Sequence, residues 1–191
     1  MQDETKLIAA LKQRDPAALS TLFEHYSDRI YRLAVSVLHD EVQADGVVQN
    51  TFLALIKHVE TFEGRSSIGT WLYRVAYNEC VMRMRRAKAI VDLDERDDDG
   101  DTMPTHFVDW QTVPEDIIDS GEAMTQMERA ISSLKPELRA VFVLRDVDEL
   151  STAETADVLG ITENLVKVRL HRARLALREM LASYFEKRVN A

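Results

Sequence analysis

Apolar side chains recur at three- and four-residue spacing through the first ninety residues and again from residue 124, the period of helices that bury one face. Asp15-Pro16 opens one such stripe: Asp15 suits a cap, Pro16 suits a first turn, and Leu19, Leu22, Phe23 and Tyr26 follow on one face. Ile30, Leu33, Ala34, Val37 and Leu38 continue the pattern in the next segment. A third helix is predicted from Val47 to Val59, through Val48, Phe52, Leu55 and Ile56. Gly64-Arg65-Ser66-Ser67-Ile68-Gly69 then reads as a loop. A fourth helix begins at Trp71-Leu72-Tyr73-Arg74 and ends basic, with Arg83, Arg85, Arg86 and Lys88. The plain reading of each apolar stripe is core.

Met124 to Leu134 is again amphipathic, and Pro136 opens a helix through Leu138, Val141, Phe142 and Leu144. Ser151-Thr152-Ala153-Glu154 has the spacing of a capping box, so a short helix is predicted from Thr152. Gly160 can take the left-handed conformation that ends it, and Thr162 caps a second helix predicted to run to about Leu181. Small Ala156, Gly160 and aliphatic Ile161 and Val166 fall where two helices crossing at a tight turn need them, the steric signature of a helix-turn-helix.

With Leu165, Val166, Leu170, Ala173 and Leu177 assigned to the buried side of that second helix, Asn164, Lys167, Val168, His171 and Arg172 share an outward stripe. Lys167, Arg169, Arg172, Arg174 and Arg178 give the helix a cationic surface, with Glu163 alone at the amino-terminal end where a carboxylate suits the helix dipole. A solvated charged face is the bland account. Inside a helix-turn-helix the stronger one is major-groove insertion, with cations on phosphates and Lys167, Val168, His171 and Arg172 at base edges.

Taken whole, the net charge opposes nucleic-acid binding, since the 191 residues carry −9. Resolved along the chain, residues 1–90 hold 12 Lys+Arg and 11 Asp+Glu, and residues 124–191 hold 11 and 10, each a net of +1. Residues 91–123 hold Arg96 against 12 acids, a net of −11. That connector contains Asp97-Asp98-Asp99-Gly100-Asp101 with Pro104 and Pro114, so it reads as a flexible acidic linker. With 6 Gly and 4 Pro in the whole chain, an all-α fold of two small helical domains, 1–90 and 124–191, is the expected architecture.

Other chemistries are poorly served. The one cysteine, Cys80, rules out an internal disulfide framework or a multi-thiolate metal site and is expected to be buried and inert. His25, His39, His58, His106 and His171 are scattered, and no glycine-rich phosphate loop occurs, so neither catalysis nor a metal or other cofactor is expected. No apolar run approaches a bilayer span, and Asp3 and Glu4 stand where a signal peptide would be basic, so a cytoplasmic protein without membrane insertion is expected.

Three stretches carry a more specific likeness: Val48-Gln49-Asn50-Thr51-Phe52 with Phe62-Glu63-Gly64; Thr70-Trp71-Leu72-Tyr73-Arg74-Val75-Ala76-Tyr77-Asn78; and Val141 to Arg145 running on to Val166-Lys167-Val168-Arg169-Leu170-His171-Arg172-Ala173-Arg174. Over nearly its whole length the chain resembles the extracytoplasmic-function group of bacterial RNA polymerase sigma factors, which keep only conserved regions two and four. The resemblance implies a non-enzymatic polymerase subunit that directs promoter recognition, commonly under an anti-sigma factor. It implies that Asp45, Gln49, Phe52 and Leu55 dock on the clamp helices of the largest polymerase subunit, with Phe52 as an exposed anchor, and that region four meets the flap. Loop residues Arg65, Ser66 and Ser67, with Trp71, Arg74, Tyr77, Asn78, Arg83, Arg85 and Arg86, would open and hold the minus-ten element, Asn78 as base reader and the arginines on phosphates. Trp71 keeps its alternative as a core pin. Asn164, Lys167, Val168, Arg169, His171, Arg172 and Arg174 would read the minus-thirty-five element. The acidic linker would lie in the polymerase's positively lined channels, with plain solubility as the alternative.

The chain departs from the group's pattern at Gly46 and Asn50, where acids are usual, at Met82, often Asp, and at Val168, often small and polar. A rival of another class, a sensor domain followed by a helix-turn-helix that binds an operator without polymerase, would explain residues 124–191 alone.

Overall fold

A computed structural model describes residues 2–90 and 121–189, with side-chain surroundings given for 4–86 and 125–182. The described residues contain eight α-helices and no strand. The acidic run Asp97 to Asp101, and the linker of which it is part, lie outside them.

Helix α1, Gln2–Lys12, has no counterpart among the predicted elements. Helix α2, Pro16–Leu38, starts where Asp15 accepts the Ala17 N–H at 2.9 Å and ends at His39, a left-handed residue (φ 54°) whose N–H returns to the Val35 carbonyl. It is one helix where the apolar pattern suggested two segments, because no breaker lies between Tyr26 and Ile30. Helix α3, Glu41–His58, begins well before Val47, since Asp40 accepts the Gln43 N–H at 3.0 Å and so caps it. A short 3₁₀ turn, Val59–Thr61, leads to the loop that precedes helix α4, Ile68–Ile90. Ser67 caps α4 by accepting the Thr70 N–H at 3.0 Å.

Helices α2, α3 and α4 pack mutually around Leu22, Ile30, Leu33, Val47, Leu55 and Leu72, each at most 2% exposed. Burial of each such side chain is worth roughly 1.5–3 kcal/mol against leaving it in water. Cys80 is wholly buried here, and burial pushes its thiol up to about 12, so it is an inert packing residue.

Helix α5, Gly121–Ser133, and helix α6, Pro136–Phe142, precede a π-helical turn, Val143–Val147. Helix α7, Thr152–Leu159, has the predicted capping box: Ser151 accepts the Glu154 N–H while Glu154 Oε2 accepts the Ser151 N–H. Gly160 closes α7 at φ 66°. Helix α8, Glu163–Val189, extends past Leu181 and buries Val166, Leu170, Ala173 and Leu177 against α6 and α7.

The two helical units meet where α4 packs on α7 and α2 on α6. Polar pairs cross this seam. Arg32 donates to Asp148 at 2.9 Å, Arg74 to Asp157 at 3.1 Å, and the Thr70 hydroxyl to Glu154 at 3.3 Å. Arg139, 1% exposed, donates to the Ser132 carbonyl and faces His39 Nδ1 at 3.2 Å. Because a guanidinium only donates, that nitrogen must be unprotonated. Burial, then the Arg139 charge, accordingly lowers the His39 pKa.

Candidate polymerase and promoter interfaces

Helix α3 turns one stripe outward: Val42, Asp45, Gln49, Leu53 and Ile56 are exposed, Val42 by 83%, Leu53 by 52% and Ile56 by 48%. Phe52 and Leu55 are not on it. They are 6% and 1% exposed, and the Phe52 ring tilts against Phe23 of α2 at 4.9 Å. The expectation of an exposed Phe52 anchor is therefore corrected. Phe52 lies two helical turns from Asp45, on the flank of the stripe that Phe23 of α2 covers, and Leu55 is turned further into the core. Exposed Phe23, beside Phe52, completes an apolar surface that sequence reasoning missed.

The two acid-to-neutral departures on this helix have a joint structural explanation. Arg83 of α4 lies across Gly46, so close that a β-carbon there would sit 2.9 Å from either terminal guanidinium nitrogen, and Arg83 donates to the Gln43 carbonyl at 2.9 Å. Asn50 donates to Glu79 at 2.8 Å, and Arg83 pairs with the same carboxylate at 2.9 Å. Gly46 gives the guanidinium room, and Asn50 shares its acid. Burial alone would raise the Glu79 pKa; hydrogen bonds from Asn50 and Arg83, with the Arg83 and Arg86 charges, outweigh it and leave the pKa lowered.

On α4, Asn78, Met82, Arg85 and Arg86 are exposed on neighbouring turns of one face. Tyr77 is half-buried, with its hydroxyl pKa raised chiefly by burial and the Arg169 charge close enough to oppose that rise. Trp71 is half-buried, edge-on to Phe62 at 6.4 Å and packed on the core. Several predicted DNA contacts are already engaged within the protein. Arg74 bonds to Asp157 and to the Ser66 hydroxyl, Arg83 belongs to the α3–α4 clamp, Ser67 is the α4 cap, and exposed Arg65 pairs with Glu63 at 2.7 Å.

On α8, Asn164 and Lys167 are exposed and Arg169, His171 and Arg172 are half-buried. Arg174 makes a two-pronged bond to Asp146 in the π-helical turn, at 2.9 and 2.7 Å, and so braces α8 against the segment leading into the helix-turn-helix. Val168 is 2% exposed, not outward as the stripe predicted. It lies apart from the Val166–Leu170–Ala173 seam and is covered on its own side of the helix, so in this arrangement it presents nothing to a groove.

The described residues contain no cluster of His, Cys, Asp or Glu fit to hold a metal ion and no helix long and apolar enough to cross a membrane. The site is a set of surfaces, one apolar and two cationic, carried by α3, α4 and α8.

Family models match both units: "Sigma-70 region 2" over residues 22–90 and "Sigma-70, region 4" over 124–177. That places the chain in the class of sigma-70-type transcription initiation factors. It is similar to the ECF RNA polymerase sigma factor SigW of Bacillus subtilis, 33% identical over 178 residues that span 92% of this chain and 95% of SigW. The ECF sigma factor SigM of Mycobacterium tuberculosis is 30% identical over 180 residues, 94% of this chain and 85% of SigM. The chain belongs to the extracytoplasmic-function group of RNA polymerase sigma factors. Its fold is shared by CnrH in complex with the cytosolic domain of CnrY, with a TM-score of 0.65, 22% identity, and coverage of 94% of this chain and 97% of that one. The sigma factor RpoE bound to NepR from Bartonella quintana gives a TM-score of 0.64 at 20% identity, over 85% of this chain and 96% of RpoE.

Proposed function

We propose that this alternative sigma factor docks on core polymerase through the exposed α3 stripe, Val42, Asp45, Gln49, Leu53 and Ile56, together with Phe23. Exposed aliphatics beside polar groups on one helix face are what a protein partner desolvates. The α4 face of Asn78, Arg85 and Arg86 receives the melted minus-ten strand, with Arg74 joining it once Asp157 is exchanged for a phosphate. Helix α8 enters the major groove of the minus-thirty-five element by Asn164, Lys167, His171 and Arg172. Residues 1–90 and 124–191 act as the two domains, and the acidic linker between them passes through the polymerase. The protein performs no chemistry, acts in the cytoplasm and is held inactive by an anti-sigma factor that covers the same apolar and cationic surfaces.

The observation that carries this reading is the presence, in one chain, of two cationic faces at a set order, α4 before the helix-turn-helix, each within a matched family region. An operator-binding regulator would need only the second. The test is run-off transcription of genomic fragments by purified core polymerase with the chain added. Discrete transcripts that disappear with Leu53→Asp, through lost core binding, and with Arg172→Ala, through lost promoter binding, are expected. Failure of the parent chain to associate with core polymerase would overturn the reading.

A further inference from the structure

We propose that helix α1 is a positioning element for the loop that precedes α4, with Glu4 holding the loop's far end and Lys12 its near end, so that the minus-ten pocket is shaped before DNA arrives. The family match to region 2 begins at residue 22, so α1 lies outside it. The role assigned to the loop rests on the functional reading above.

Two bonds define the staple. Glu4 Oε1 accepts the backbone N–H of Ile68 at 2.8 Å, across 64 positions of sequence. That N–H belongs to the first turn of α4, where helices leave donors unsatisfied and where a carboxylate also suits the helix dipole. Lys12 Nζ donates to the Phe62 carbonyl at 2.9 Å, at the start of the same loop. A third pair, Arg14 with Glu60 at 3.5 Å, is 81% and 63% exposed and contributes little. Between the two anchors the chain turns at Gly64, φ 71°, and presents Arg65 to solvent.

Apolar packing seats α1 through buried Leu11, with Leu7 and Ala10 against the core. Beside it a groove of about 720 Å³ opens between α1, α2 and the start of α4, bordered by Glu4, Leu7, His25, Tyr26 and Ser67. At that groove the Glu4 carboxylate reaches the first turn of α4 directly. On the other side of the turn the Tyr26 hydroxyl sits 2.5 Å from where a β-carbon on Gly69 would be, so the first turn of α4 packs closely on α2. A loop held in its binding shape loses less conformational freedom when it captures a base.

The test is hydrogen–deuterium exchange of the full chain, read over residues 62–70. Glu4→Ala is expected to speed exchange there about fivefold, the effect of losing one capping bond, with the exchange of α7 and α8 unchanged. Glu4→Gln, which keeps an oxygen acceptor, is expected to restore slow exchange. Exchange within twofold of the parent in Glu4→Ala, or equal acceleration in Glu4→Gln, would sink the proposal. With core polymerase and a fragment the parent opens, Glu4→Ala should slow duplex opening about fivefold while leaving core binding and use of a pre-opened fragment intact. Normal opening by Glu4→Ala overturns the proposal alone; a parent that never binds polymerase overturns the functional reading with it.

Discussion

The helix that leads into the recognition helix and the helix proposed to receive the minus-ten strand are started by different means. Helix α7, which sets up the recognition helix, is capped by Ser151 and Glu154, three residues apart, and closed by Gly160 in its own last turn. Helix α4 has a local cap in Ser67, but its first turn also depends on Glu4, and the packing of Gly69 under Tyr26 adds a second distant constraint. The carboxy-terminal unit thus keeps its instructions within a few residues, while the amino-terminal one distributes them over sixty. A locally specified reader tolerates change elsewhere in the chain; a distributed one is adjustable from outside its own motif.

The sharpest way to break the distributed side is Gly69→Ala. Its β-carbon would meet the Tyr26 oxygen at 2.5 Å and ring atoms at 2.9 and 3.0 Å, so the cost is expected near the top of the roughly 1–3 kcal/mol seen for overpacking. Thermal unfolding should show the amino-terminal unit destabilised and promoter opening lost with it. On the local side, Gly160→Ala places a side chain at φ 66° in open space, so only the left-handed backbone term of roughly 1–2 kcal/mol applies. Ser151→Ala should cost about 1 kcal/mol by removing the cap. Chemical denaturation of each variant checks the order, and a Ser151→Ala effect larger than that of Gly69→Ala would reverse the comparison.

Acid offers a gentler probe of both units at once. The Glu154 pKa is lowered by the Ser151 hydroxyl and backbone N–H, with Thr70 and Arg145 assisting against burial, and the Glu79 pKa is lowered by Asn50 and Arg83 against burial. Each carboxylate is ionised more readily folded than unfolded, so each contributes stability above its ordinary value of 4.5 that is lost as pH falls through the depressed folded value. Glu154→Gln and Glu79→Gln should each flatten the fall in melting temperature between pH 6 and about pH 3. The smallest effect is expected from Gly46→Ala. The gain in helix propensity, up to about 1 kcal/mol, is offset by displacing the Arg83 guanidinium, so stability should stay within about 0.5 kcal/mol while Arg83 is freed from the Gln43 carbonyl.

Legibility follows the same divide. The capping box, Gly160 and the apolar seam of α8 could be read from sequence because each works through neighbours three or four residues away. Helix α1 was not legible as a helix with a task, since Glu4 acts through a backbone amide 64 positions on. Phe52 and Leu55 were legible as core by their stripe, and only the resemblance drew them to the surface; that Ile56 and Leu53 are exposed instead was not legible, because α2 and its Phe23 decide which flank is covered. Gly46 and Asn50, taken singly, looked like losses; only the approach of α4 turns them into one arrangement with Glu79 and Arg83. The linker's charge was plain in the sequence, and its role stays with the proposal.

Asp148 shows what the seam between the units implies for their parting. Its side chain is fully covered, and its described ion-pair partner, Arg32, belongs to the other unit. When the units move apart, that carboxylate regains water as Arg32 leaves, and Asp157 and Glu154 likewise trade Arg74 and Thr70 for solvent. These pairs themselves add little net free energy to the boundary, since both partners regain water on opening, so a competing ligand, a phosphate for Arg74 or an acidic side chain for Arg32, replaces them at little cost.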